Sequence, residues 1–342
     1  METFHNQLIK VISEMEEANP VECRDIDIEN IISEITPEIV ASLKKSLQKT
    51  TGQMLWERRR LSTQFEARNL ERWREGFDLL ETHIVICTEA GEEFNKSYRP
   101  EAVENNDLVL DVVVRQHARA CHIAQEILCL LKSGFPDAAH ARWRALHEVN
   151  CTAMFIVKQG QDCAERFYFH DVVDSYDAMR EHKKYENRLQ EKGPSQAEID
   201  DCKKEYDELI RRYGKSFSQL YGWAAHIFPS HQRVGFAAIE KNVGLDHMRP
   251  YYKWASQNIH ASSKGMTSRL GLCEARHDIL LVGQSNSGMT DPAHATAISL
   301  YQITTTLLCL KPALDHIVMC KIAGEYEQAV GDTFLRISQS KS

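Results

Sequence analysis

The sequence predicts an all-α protein, a multi-helix bundle with an N-terminal helical extension and a projecting helical hairpin. Three observations carry this. Gly (16) and Pro (9) are sparse in 342 residues, which favours helix. Apolar residues recur every three or four positions over long windows, most clearly in 108–158, the period of one helix face. No convincing strand pattern or internal repeat occurs; Val109–Val114 is short and heads a helical pattern.

Composition narrows the class. Charged residues make up 26% and apolar residues 43%, the balance of a soluble globular chain long enough to bury a sizeable core. Ten cysteines are scattered with no Cys-x-x-Cys, which argues against zinc ribbons and thioredoxin chemistry. Free thiols fit a reducing, cytoplasmic location. The N-terminus lacks the basic and apolar regions of a signal peptide. The longest apolar run, near 297–320, is interrupted by Lys311, Pro312 and Asp315, so no membrane partner is expected.

The chain divides into an acidic segment (1–36), a basic helical extension (37–100) and a main bundle (101–330). Residues 1–35 hold nine acids against Lys10 and Arg24, with Asn19-Pro20 as a break. Thr36-Pro37 marks a helix start. Residues 44–74 hold nine bases against Glu57, Glu66 and Glu71, together with Trp56, Phe65 and Trp73. Bases interleaved with aromatics suit RNA; the alternative is a charged helix packed on the acidic start of the same chain. Leu70, Trp73, Phe77, Leu80 and Ile84 share a helix face, and Tyr98-Arg99-Pro100 ends the segment.

Residues 108–158 read as two helices around Ser133-Gly134-Phe135-Pro136-Asp137. The first carries a polar stripe of Arg115, Arg119, His122 and Glu126; the second carries His140, Arg144, His147 and Glu148 opposite a small-residue face. A helix over about 162–191 and another over 196–213 form the projecting hairpin (about 162–213), the second opened by a capping box, Ser195 with Glu198. Glycines and prolines divide 214–250 into short pieces. Tyr252, Ser256, Ile259 and Ser263 then share a face near His260, a loop occupies 283–292, and Pro312 kinks or splits a final helix over about 293–327.

The order Gly134, Arg144, Glu148, Tyr168, Trp223, Ser256, His260, Ser262 resembles the bacterial helical family known as domain of unknown function 5677, over roughly 108–265. The resemblance implies an all-helical fold, names no activity, and points to Arg144, Glu148 and His260. A looser resemblance is to the HEPN ribonucleases: Arg142 and His147 have their Arg-x4-His spacing. It implies metal-independent RNA cleavage by a dimer. Trp143 follows that Arg where the pattern has a polar residue, and residues five apart on a straight helix point about 140° apart.

Two functions follow. In one, the chain is a ribonuclease-like effector in toxin or antiphage defence. Arg144 binds phosphate, His260 or His147 moves protons, Glu148 positions them, and Arg119, Tyr168, Ser256 and Ser262 contact substrate. In the other, Arg144, Glu148 and His260 form the structural polar core of a non-catalytic interaction or ligand-binding module. Arg144 and Glu148, four apart, then read as an intrahelical pair contributing only about 0.2–0.5 kcal/mol. Each of Arg144 and His260 lies in an otherwise apolar or small-residue helix, which predicts that they face each other. His117, Cys121 and His122 have helical spacing but fall short of a ligand set, so neither metal nor other cofactor is expected. RNA, a second copy and another protein are the candidate partners. Walker, Rossmann, Gly-x-Ser-x-Gly and His-Glu-x-x-His motifs are absent.

Overall fold

The computed structural model describes residues 28–229 and 231–340, with isolated positions Asn6, Ile9, Lys10, Ser13, Glu14 and Glu17. The rest of the acidic segment before residue 28, including the expected Asn19-Pro20 break, lies outside the described residues. Among those described, eleven α-helices and four short 3-10 helices occur and no strand, so the chain is all-α. No helix of the described residues is long and apolar enough to cross a membrane. Two compact units divide at Gln64 and Phe65.

In chain order the α-helices are α1 (Ile28–Glu104), α2 (Leu108–Lys132), α3 (Pro136–Gln159), α4 (Gln161–Phe169), α5 (Asp171–Leu189) and α6 (Gln196–Tyr213). They continue with α7 (Phe236–Asn242), α8 (Arg249–Gln257), α9 (Ser263–Thr267), α10 (Thr290–Leu308) and α11 (Leu314–Gln339). Helix α1 runs through Pro37 and Pro100, where the sequence predicts a start and an end. Both prolines are exposed, so water can take up backbone groups that the ring leaves unbonded.

Within residues 1–64, the described part of α1 keeps Val40, Leu43, Leu47, Met54 and Leu61 exposed. The Arg60 guanidinium lies 5.6 Å from the Trp56 ring centroid.

Within residues 65–342, α1 buries Trp73, Phe77, Leu80, Ile84 and Cys87 at the spacing of one helix face. Helices α2 and α3 form the expected hairpin, and α10 packs across both, with α11 against α10. Asp107 caps α2 by accepting from the Leu110 amide at 3.0 Å. At its other end Asn69 Nδ2 donates to the Leu131 and Lys132 carbonyls, both at 2.9 Å, satisfying acceptors that a helix end leaves unpaired. Gly134 has φ +82°, and a Cβ there would lie 2.4 Å from Phe65, so the turn needs glycine. Pro136 then opens α3.

The helix expected over 162–191 is broken at His170 into α4 and α5. The buried His170 ring turns its Nε2 to the Phe217 and Gln219 carbonyls, at 3.1 and 2.9 Å, and this side-chain anchoring accompanies the break. Helices α5 and α6 pair, joined by a Tyr176–Tyr206 ring contact, and α6 has the expected Ser195–Glu198 capping box. Around Pro312 the last helical region is split rather than kinked, ending at Leu308 and resuming at Leu314.

Candidate functional site

The site grows from two adjacent columns on α3. Arg144 and Glu148 form one; Trp143, His147 and Cys151 form the other, each step being about one helical turn. Helix α7 places Phe236, Ile239 and Glu240 on its buried side. Helix α8 begins with Arg249 and brings up Tyr252 one turn later. Glu240, Arg249 and Tyr252 meet the two α3 columns.

The outer group is Arg144, Glu148 and Tyr252. Arg144 Nε donates to Glu148 Oε1 at 3.1 Å, and its guanidinium lies 4.7 Å from the Tyr252 ring centroid. The Tyr252 hydroxyl donates to the same carboxylate oxygen. Burial, then the bond to Glu148, pushes the Tyr252 pKa up. Burial acts to lower the Arg144 pKa, but Tyr252 and Glu148 outweigh it and the net shift is upward. Arg144 therefore remains a cation with a carboxylate and an aromatic face already engaged.

The inner group is His147, Glu240 and Arg249. His147 Nε2 lies 2.9 Å from Glu240 Oε1, and both side chains are buried. The other Glu240 oxygen pairs with Arg249, whose guanidinium stands 5.3 Å from the Phe236 ring and 4.9 Å from the Tyr252 ring. Burial lowers the His147 pKa and prevails over the bond to Glu240, with Arg249 lowering it further. The imidazole is thus neutral near pH 7 and donates Nε2–H to the carboxylate, leaving Nδ1 without a partner. Trp143 stacks between His140 and His147, with ring centroids 5.5 and 5.3 Å away, and donates its Nε1–H to Ser299 at 3.0 Å.

Cys151 completes a set that superficially resembles a thiol–imidazole–carboxylate relay. Its Sγ is 3.6 Å from His147 Nε2, the nitrogen already facing Glu240. A relay needs the two ring nitrogens to face different partners. Burial also pushes the thiol pKa up, away from the nucleophilic thiolate.

Of the residues singled out by sequence, Arg144, His147 and Glu148 come together. His260 is exposed on the turn after α8 and lines a cavity with Asp137 and Ala138, at the start of α3. Among the described residues no hydrogen bond or ion pair joins it to Arg144 or Glu148; Tyr252 has the position that sequence reasoning gives to His260. Ser256 Oγ donates to the Tyr252 carbonyl at 2.7 Å, and Ser262 caps α9. Arg119 is exposed on α2, and Tyr168 is exposed on α4 beside Phe169. Arg142 is half-buried and pairs with Glu126, while its HEPN-spaced partner His147 is buried. His117 Nε2 meets Thr304 Oγ1 at 3.0 Å and Cys121 lies beside its ring. Among the described residues no group of three or more His, Cys, Asp or Glu is placed to hold a metal.

Sequence reasoning missed Glu240 and Arg249. A signal for each existed. Glu240 follows Phe236 and Ile239 at offsets of four and one, which puts a carboxylate on the apolar face of a short helix. Arg249 precedes Tyr252 by three, on the same face.

No curated protein matches this chain, and no solved structure matches it. Residues 110–278 match the model of DUF5677, a family of unknown function. The match takes in most of the α2–α3 hairpin, α7 and α8, and over this segment the chain is similar to DUF5677.

Proposed function

We propose that the chain is a non-catalytic helical ligand-binding module, and that the Arg144–Glu148–Tyr252 and His147–Glu240–Arg249 groups are the polar core that fixes α3, α7 and α8 in register. One observation carries this reading: the charged groups of the site are engaged by one another, and the imidazole proton points at a buried carboxylate. A ribonuclease of the HEPN kind needs an Arg free to hold phosphate and a His within reach of solvent and substrate. The nine described cysteines are all free, which supports a reducing, cytoplasmic setting for the module.

The test pairs two measurements on the same proteins. Purified wild type, Arg144→Ala and Arg249→Ala are assayed for cleavage of single-stranded and structured RNA and for thermal unfolding. The expected result is no cleavage by any of the three, with lowered melting temperatures in the variants. Wild-type cleavage that disappears in Arg144→Ala while its melting temperature stays unchanged would overturn the reading and restore the ribonuclease.

A further inference from the structure

Residues 28–64 of α1 carry an apolar stripe that faces water. Val40, Leu47, Met54 and Leu61 stand seven positions apart, and Leu43 fills the step between the first two. This is the spacing of a coiled-coil seam. Each of the five is between 43% and 62% exposed. Single apolar residues on a surface need no explanation; a row that repeats with the helix marks an interface.

This stretch of helix also has little support of its own. Pro37, Thr50, Thr51 and Gly52 are weak helix formers. The Thr50 and Thr51 hydroxyls both bond back to the Leu47 carbonyl, at 3.2 and 2.7 Å, a contact that slightly destabilises a helix. A helix of such sequence is held by packing of its apolar face rather than by propensity.

Charge identifies what packs there. Residues 28–43 carry Glu29, Glu34 and Glu38 and no Lys or Arg. Residues 44–64 carry Lys44, Lys45, Lys49, Arg58, Arg59 and Arg60 against Glu57. A second copy laid antiparallel, crossing near Leu47, sets the acidic end of each helix against the basic end of the other. A parallel copy sets bases against bases. RNA suits a different face: Lys45, Lys49, Trp56 and Arg60 recur on the side opposite the stripe, so a polyanion bound there leaves the seam uncovered. Among the described residues before 28, Ile9 is the one apolar side chain and is itself 49% exposed, so no described residue at the start of the chain covers the stripe.

We infer that residues 28–64 form an antiparallel two-stranded coiled coil with the same stretch of a second copy. The two-fold axis passes near Leu47, and the apolar side chains of the two stripes interleave along the seam. The acids of each copy face the bases of the other, and the Lys45–Arg60 face stays in water.

The test is sedimentation equilibrium of the full chain. The wild type is expected to dimerise with a Kd below about 100 µM. Leu47→Lys, at an exposed position, is expected to weaken association by more than about ten-fold. Arg58→Glu, Arg59→Glu and Arg60→Glu together are expected to weaken it by about ten-fold as well. Adding Glu29→Lys, Glu34→Lys and Glu38→Lys to that chain should restore the dimer, a rescue that only an antiparallel pair gives. Circular dichroism confirms that each variant is folded. A wild type that stays monomeric at about 100 µM would overturn the inference, whether or not it then binds added RNA or lipid vesicles. So would a dimer indifferent to Leu47→Lys, or a charge reversal that the second reversal does not rescue.

Discussion

His147 Nε2 and Glu240 Oε1 lie 2.9 Å apart, from helices 93 positions distant in sequence, with both side chains sealed from solvent. Arg249 on the far oxygen sets a guanidinium against the buried carboxylate. This trio, with His147 and Glu240 buried and Arg249 partly exposed, ties three helices together.

Removing Arg249 alone strands the Glu240 charge. Arg249→Ala is expected to cost about 3–5 kcal/mol, whereas replacing both partners, Glu240→Met with Arg249→Met, should cost less than the single change. Chemical denaturation of the set measures this; an Arg249→Ala protein as stable as wild type would contradict the assignment.

The outer pair is weaker because it meets solvent. Arg144 and Glu148 side chains are 24% and 34% exposed, and the ion pair with its aromatic contact should contribute only about 1 kcal/mol. Arg144→Ala should therefore lower stability less than Arg249→Ala. The reverse order in denaturant midpoints would count against the two-layer description.

Acid should destabilise the fold well before its carboxylates titrate. Burial lowers the pKa of His83, His117 and His140 to about 4, and lowers that of His147 as well. An unfolded histidine titrates near 6.5. Between those values the unfolded chain holds protons that the folded chain does not, so stability is full above about pH 6.5 and falls as pH drops toward 4. Each of the first three contributes about 3 kcal/mol over that window, which together approach the whole stability of a typical domain. Melting temperature recorded from pH 7.5 to 4.5 should decline steadily; a flat profile would mean that these rings are not held neutral.

Gly91 offers a test of sign. Glycine to alanine in a helix normally stabilises by about 1 kcal/mol. At Gly91 an added Cβ would lie 2.3 Å from the His117 ring, so Gly91→Ala should destabilise instead. Combining it with His117→Ala should recover part of the loss relative to His117→Ala alone, read from unfolding midpoints.

The all-helical fold was legible because its signals are local: the period of Trp73, Phe77, Leu80 and Ile84, the Ser195 capping box, the Gly134-to-Pro136 turn. The site was half legible. Arg144, His147 and Glu148 stand out on one helix and do cluster. Their partners come from two helices about a hundred positions away, and which turn of α8 faces them depends on packing that periodicity does not encode. Tyr252 lies within α8 and reaches Glu148, whereas His260 lies past its end, at the cavity. The same limit explains α1, where exposed Pro37 and Pro100 fail to interrupt a helix that local rules would end.

The stacking of Trp143 between His140 and His147 also gives the polar core an optical signature. Indole emission is quenched by a neighbouring imidazolium far more than by a neutral imidazole. Trp143 thus sits where its fluorescence lifetime registers a proton arriving on His140 or His147, from inside the fold.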